Sequence, residues 1–365
     1  MQQTTRKVWI FAGEPSGDLY GAELARNLIA LDPDLAVAGM GGKEMSDAGI
    51  EIIQDSTDLA VVGLVEVLRH YPTFRRIFWR LVEQAERERP DLIVFIDYPG
   101  FNLRFAKQMH KRGIAVAWYV SPQVWAWGKK RIPLMASILK HMMVIFPFEK
   151  ELWERAGLPC TFIGHPLLPI LRRETAAVDR DPNLVAILPG SRGSEVSRLV
   201  RPFLDTARQL HGQRPELRFV LPVPHDRLLP RVEALVAEAG LPEGFPLELH
   251  VGETPTWLRR ATVGLAASGT VTVQAAILGL PLVVGYKVNP ISYAIWRRLV
   301  KVDFITMVNL IAGHCVYEEY LQGDVSPRVL VPALERILPN GERRAEVETG
   351  IREVTDALET GEDAS

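Results

Sequence analysis

Val185-Ala-Ile-Leu-Pro-Gly-Ser-Arg-Gly-Ser-Glu195 is the stretch that decides how the chain is read. Val185 to Leu188 is an apolar run of strand length, and Pro189-Gly190-Ser191 is a tight turn. Ser194 and Glu195 stand at the start of a helix expected to run to about Arg214. A strand that feeds a small-residue turn into a helix leaves unpaired backbone N–H groups converging on one point, which suits an anion. Arg192 adds a planar, permanently charged fork matched to phosphate oxygens. From this stretch alone two readings stand: a diphosphate seat in the second of two α/β halves, or an ordinary βα turn with an N-cap serine.

A chain of 365 residues favours two domains over one. Hydrophobic residues at 47% and charged residues at 24% are globular values and exclude a disordered chain. A net charge of −2 argues against nucleic acid as a partner. The two cysteines, Cys160 and Cys315, lie far apart without CxxC spacing, so a reducing cytoplasm is the default expectation. The apolar run Val8 to Ala12 stops at Gly13-Glu14, too short for a signal peptide, and reads as a first strand. No run reaches the roughly 18 apolar residues of a membrane span.

In the first half, Lys7 to Ala12 is a strand and Gly13 to Asp18 a turn, with a helix from Leu19 to Leu31. This turn lacks G-x-G-x-x-G spacing and carries Glu14 and Asp18, which would repel a pyrophosphate, so a nicotinamide site is rejected. Carboxylates at a strand's carboxyl end suit hydroxyl groups such as a sugar's; helix capping by Asp18 is the alternative. Leu35 to Gly39 is a second strand. Val61, Leu64, Val65 and Leu68 recur at helical spacing, Pro72 interrupts, and Phe74 to Val82 interleaves Phe78 and Trp79 with Arg75, Arg76 and Arg80. That composition fits an interfacial segment, or a core helix with a basic edge. The buried run Leu92 to Ile96 delivers Asp97 to the carboxyl edge of the sheet, where ligands sit in open α/β folds. Asp97 is a candidate general base, and Asp97 to Asn102 a pocket wall. Trp125 and Trp127 follow the strand Ile114 to Val120 and either line a pocket or plug a core.

Leu167 to Asn183 has the composition of a linker. Asp32-Pro33-Asp34 and Asp179-Arg180-Asp181 match D-x-D but sit at turns. The alternation of strand and helix then resumes, and Ala267-Ser268-Gly269-Thr270 forms a second strand–turn–helix unit aimed at an anion. Gln274 follows one helical turn later, within reach of a ribose. Ile291 to Val300 reads as a helix, Phe304 to Gly313 as a loop carrying Asn309, and Glu318 to Gln322 as a helix.

Several stretches together resemble lipid-A-disaccharide synthases, a family of GT-B glycosyltransferases. They are Ala12 to Asp18, Ile96 to Asn102, Tyr119 to Trp127, Gly164-His-Pro-Leu167, Pro189 to Glu195, Ser268-Gly-Thr270, and Leu299 to Asp303 with Asn309. The resemblance implies two doubly wound Rossmann-like domains facing across a cleft: an acceptor and membrane-facing domain (1–166), a linker (167–183), a UDP-sugar domain (184–340), and a C-terminal helix with a frayed tail (341–365). It implies transfer of 2,3-diacylglucosamine from UDP to the 6-hydroxyl of 2,3-diacylglucosamine 1-phosphate at the inner face of the cytoplasmic membrane. Neither metal nor cofactor is expected, and a homodimer is left open.

Under that resemblance Asp97 is the expected base, with Glu14 or Asp18 as rivals. Glu14, Ser16 and Asp18 shape the acceptor side, and Asn102, Trp125 and Trp127 are expected substrate contacts. Ser191, Arg192, Glu195, Ser268, Gly269, Thr270, Gln274 and Asn309 serve the donor. The resemblance tips Val61 to Val82 toward the interfacial reading, with Val61, Leu64, Val65, Leu68, Arg75, Arg76, Phe78 and Trp79 facing the membrane. Gln274 departs from the family's usual glutamate, which weakens the expected grip on the ribose. A transferase or epimerase on a soluble UDP-sugar, or an inactive lipid- or nucleotide-binding paralogue, are the competing functions.

Overall fold

The computed structural model describes residues 6–56, 64–125, 128–289 and 304–359, with the backbone alone over 64–71. The chain divides between Pro166 and Leu167 into two compact units. Each is a parallel sheet flanked by helices, and strands covered on both faces are apolar along nearly their whole length, as at Leu92–Ile96 and Leu184–Leu188.

The first unit runs β1 (Lys7–Ala12), α1 (Pro15–Leu31), β2 (Ala36–Gly41), α2 (Lys43–Asp47), β3 (Glu51–Asp55), α3 (Leu64–Glu88), β4 (Leu92–Ile96), α4 (Pro99–Lys111), β5 (Val116–Tyr119), α5 (Ile132–Ile138), β6 (His141–Val144), α6 (Pro147–Arg155) and β7 (Cys160–Phe162). Its strand order is β3-β2-β1-β4-β5-β6-β7. The second unit runs α7 (Leu167–Glu174), β8 (Leu184–Leu188), α8 (Gly193–Gln213), β9 (Arg218–Val223), α9 (Leu229–Ala239), β10 (Leu247–Val251), α10 (Thr254–Arg260), β11 (Val263–Ala267), α11 (Thr270–Ile277), β12 (Leu282–Tyr286), α12 (Met307–Ala312), β13 (Glu318–Leu321), α13 (Pro327–Ile337) and α14 (Arg344–Leu358). Its order is β10-β9-β8-β11-β12-β13. In each sheet the winding reverses beside the first strand, between β1 and β4 and between β8 and β11. Those two switch points are where open α/β sheets bind ligands, beyond the carboxyl ends of the strands.

Several local expectations change. The linker reading fails at its start, because Leu167, Leu168, Ile170 and Leu171 are buried and α7 packs on α10 and α11. Helix α14, expected as a separate C-terminal element, packs on α11, α12 and α13 of the same unit. Pro72 does not interrupt α3, which continues through it. A proline inside a helix forgoes one backbone hydrogen bond, but Phe74, Ile77, Phe78, Leu81, Val82 and Ala85 anchor the following turns on the sheet. Met307–Ala312 is a helix rather than a loop, started by the Thr306 hydroxyl accepting from the Asn309 amide. Glu318–Leu321 is a parallel edge strand on β12, not a helix. The predicted helix Ile291 to Val300 lies outside the described residues.

Candidate active site

In the first unit the switch point is built from two adjacent turns. Ala12 and Ile96 are register partners at the ends of β1 and β4, so Gly13-Glu14 and Asp97-Tyr98 leave the sheet side by side. Asp97 and Tyr98 both have left-handed backbones, with φ of 41° and 47°, and Val120 beyond β5 has φ of 63°. Such conformations cost on the order of 1–3 kcal/mol each and persist only where surroundings hold them. Asn102 supplies part of that hold: its amide donates to the carbonyls of Ile96 (3.2 Å) and Asp97 (2.8 Å). Asn102 is fully buried, so it shapes the Asp97 turn from behind instead of facing a ligand. A Cβ on Gly13 would fall 2.2 Å from Cδ1 of Tyr98, so glycine lets the Tyr98 ring close over the first turn.

Burial, and then the negative charge of Glu14, push the Asp97 carboxyl up to about 6, opposed by a hydrogen bond to the Tyr98 backbone. The Tyr98 and Tyr20 hydroxyls are also raised, first by burial, then by Glu14 and Asp97 respectively. Glu14 is exposed and precedes α1, whose first turn carries Ser16, also exposed. Asp18 lies one turn into α1, not in the expected loop. Its buried carboxylate accepts from the backbone amides of Gly42 (2.6 Å), Glu44 (3.0 Å) and Met45 (3.3 Å), capping α2. Trp125 is half-buried beyond β5, its indole N–H donating to Oε1 of Glu149 at 3.3 Å. Trp127 lies outside the described residues.

In the second unit, the turns after β8 and β11 flank the other switch point. Gly190 has φ of 106°, and a Cβ there would meet Oε2 of Glu195 at 2.5 Å. Glu195 accepts from the Arg192 amide and from its guanidinium, each at 3.3 Å. Glu195 therefore braces the turn, while the Arg192 side chain stays 76% exposed and reaches solvent. Ser191 is exposed beside it. Tyr286 at the end of β12 is raised by burial and then by Glu195, against the lowering pull of Arg192 and Arg198. Gly269 and Thr270 are exposed at the second turn, and Gln274 is half-buried on α11.

Asn309 is placed otherwise than a substrate contact. It is fully buried, donating to the Tyr317 carbonyl (2.7 Å) and Glu319 (2.9 Å) and accepting from the amides of Val316 and Tyr317 (both 2.9 Å). Glu319 also accepts from the amides of Ile305 and Thr306 (both 2.8 Å) and from the Thr306 hydroxyl (2.7 Å). The Ile305 carbonyl in turn accepts from Ser268 at 3.1 Å. Asn309 and Glu319 thus reach the second turn indirectly, through the 305–306 backbone.

Helix α3 has two faces. Phe78 turns inward, meeting Phe101 and Phe105 edge-on at 5.5 and 5.7 Å, and so is not membrane-facing. Arg75, Arg76 and Trp79 turn outward with Pro72, Arg80 and Glu83 and line a shallow groove. Val61 lies outside the described residues, as do the side chains of Leu64, Val65 and Leu68. Among the described residues no helix is long and apolar enough to cross a membrane, and no cluster of His, Cys, Asp and Glu could hold a metal ion.

The family model for lipid-A-disaccharide synthetase matches residues 8–365. The chain belongs to that family. It is 40% identical over 360 residues to the lipid-A-disaccharide synthase of Trichlorobacter lovleyi, covering 95% of this chain and 91% of the relative. It is 36% identical over 370 residues to the enzyme of that name from Geobacter sulfurreducens, covering 99% and 95%. Among solved structures, the UDP-GlcNAc 2-epimerase from Neisseria meningitidis bound to UDP-GlcNAc is similar with a TM-score of 0.62 at 11% identity, covering 96% of this chain and 97% of that one. The glycotransferase of kitacinnamycin gives 0.63 at 15%, covering 96% and 94%. At such identities these two likenesses show the shared two-unit α/β fold.

Within this lipid-A-disaccharide synthetase family member, four residues near the switch points carry no separate signal in the sequence. Tyr20, Glu149, Tyr286 and Glu319 become visible through burial and partners.

Proposed function

We propose that the chain condenses UDP-2,3-diacylglucosamine with 2,3-diacylglucosamine 1-phosphate, giving the β-1,6-linked disaccharide 1-phosphate and UDP. The observation that carries this reading, given the family, is the Asp97 carboxyl raised to about 6 beside Glu14 at the first switch point. A base with that value is roughly nine-tenths ionised at pH 7 while remaining a far better proton acceptor than a solvated aspartate.

The acceptor 6-hydroxyl gives its proton to Asp97 as its oxygen bonds to the donor's anomeric carbon. The bond from that carbon to the diphosphate oxygen breaks on the opposite face, so the centre inverts and the electron pair leaves with UDP. The exposed Arg192 fork and the N–H groups of the turns after β8 and β11 meet the developing charge, the part a metal ion takes in other transferases. Glu14 and Ser16 border the acceptor, and Gln274 meets the ribose. Asp18 has its carboxylate engaged by α2, which leaves Asp97 the better-placed base. The outward face of α3, with Arg75, Arg76 and Trp79, suits an anionic lipid surface and keeps the enzyme peripheral to the membrane that holds its acylated substrates.

Incubating the full chain with radiolabelled donor and the acceptor tests the reading. Disaccharide and UDP should appear together, and Asp97→Asn should lower turnover about a thousandfold with UDP affinity unchanged. Absence of product from a folded protein that binds UDP would sink it.

A further inference from the structure

Along the carboxyl edge of the first sheet lies a carboxyl that the proposed reaction does not use. Glu149, in the first turn of α6, is 1% exposed. Its Oε1 accepts from the Trp125 indole at 3.3 Å, and its buried Oε2 has no partner among the described residues. Trp125 also meets Phe148 edge-on, with ring centroids 5.4 Å apart. At the start of the same loop the Ser121 hydroxyl accepts from the Trp153 indole at 3.0 Å and donates to the Pro122 carbonyl at 3.1 Å. Residues 121–125 are therefore pinned to α6 at both ends. The loop follows β5, the neighbour of β4, and so borders Asp97.

A glutamate in the first turn of a helix is ordinarily a solvated, ionised cap. Here burial pushes the carboxyl up to about 8. The Trp125 indole eases that rise, and the charge of Asp97 adds to it. The titratable groups from other elements coupled to Glu149 are Asp97 from the end of β4, whose charge acts on it, and Cys160 from β7, on which Glu149 acts together with Glu154 and Lys150. Burial pushes the Cys160 thiol up to about 12, so of the two groups from other elements Asp97 is the one charged at neutral pH. As a neutral acid, Glu149 accepts from Trp125 without burying a second negative charge near Asp97. Once ionised, the lone Oε2 needs water, and admitting water opens the contact with the loop.

We propose that Glu149 is a positioning residue for the acceptor side, holding Trp125 and the 121–125 loop beside Asp97 and letting them go when it ionises. This rests on the reading of Asp97 as the base.

Two measurements on the full chain separate the two ideas. In the nitrogen-15 spectrum, the Trp125 indole signal, assigned with Trp125→Phe, should shift with a midpoint near pH 8 and should not titrate in Glu149→Gln. In turnover, kcat/KM for the acceptor should fall about tenfold per pH unit above 8, and this fall should vanish in Glu149→Gln, which keeps at least a third of the activity at pH 7. Glu149→Leu should lower kcat/KM for the acceptor at least tenfold with the donor KM unchanged. An indole signal that ignores pH, or titrates alike in wild type and Glu149→Gln, overturns the proposal; so does a Leu variant that weakens donor and acceptor equally. If Glu149→Leu does not fold, the Gln variant and the indole signal decide. A wild type without turnover overturns the role of Asp97, while the indole titration still tests the hold of Glu149 on the loop.

Discussion

Glu14 and Asp97 leave the ends of neighbouring strands, one residue beyond Gly13 and one residue beyond Ile96, and the charge of the first makes the second harder to ionise. For an acid whose folded value lies above its unfolded one, the fold favours the protonated form. Activity that needs ionised Asp97 should therefore fall about tenfold per pH unit below about 6. Glu14→Gln removes the second cause of the shift and leaves burial, the first. The acid limb should move to lower pH without reaching the value of a solvated aspartate. A pH profile of kcat/KM checks this, and an unmoved limb contradicts the coupling.

Asp97 is also a stability liability. Below its ordinary value of 3.8 the group is protonated in both folded and unfolded chains and carries no penalty. As pH rises from 3.8 to about 6 the unfolded chain ionises first, and stability drops, with the full loss present above 6. Asp97→Asn should therefore raise the melting temperature above pH 6, by an amount corresponding to roughly 1–3 kcal/mol, while removing turnover. The gain should fade below about pH 4. Melting curves at pH 4 and pH 7.5 test the sign.

At the second switch point, Gly190 and Glu195 fit because one has no side chain and the other braces Arg192. Gly190→Ala forces both a left-handed alanine and a collision with Glu195, and should weaken UDP binding at least tenfold. Arg192→Ala leaves the turn intact and should weaken UDP with a smaller change in acceptor KM. Calorimetry with UDP on both variants measures this; unchanged affinity would remove the turn from the donor site.

Gln274 offers a neutral amide where the resemblance led us to expect a glutamate. Gln274→Glu should tighten UDP by about 1 kcal/mol, near fivefold, since a charge-assisted hydrogen bond replaces a neutral one. Weaker binding in that variant would mean that Gln274 does not meet the ribose.

Asp97 was legible in the sequence because a five-residue apolar strand must end somewhere, and the residue after it lands on the ligand edge. The paired turns after β8 and β11 were legible for the same reason. For Asp18 helix capping was one of the two readings, but which helix it caps was not legible, since its partners Gly42, Glu44 and Met45 lie more than twenty residues on and only the closeness of β1 and β2 brings them near. Glu149 sits in Phe-Glu-Lys-Glu, a pattern that looks like a solvated helix start; neither its burial nor its Trp125 partner, twenty-four residues back, shows in it. Glu318 and Glu319 are poor strand formers, and β13 forms because β12 offers it a free edge and because the Glu319 carboxylate is captured by Ile305, Thr306 and Asn309.

That outermost strand has one further effect. Side chains alternate along β13, so a slip by one residue would put Glu318 or Tyr320 where Glu319 now holds the backbone behind Ser268. An edge strand has one neighbour to fix its alignment. If the turn at Ser268 holds the donor as proposed, its shape is hostage to alignment at the rim of the sheet, and substitutions there should alter donor affinity without touching the donor.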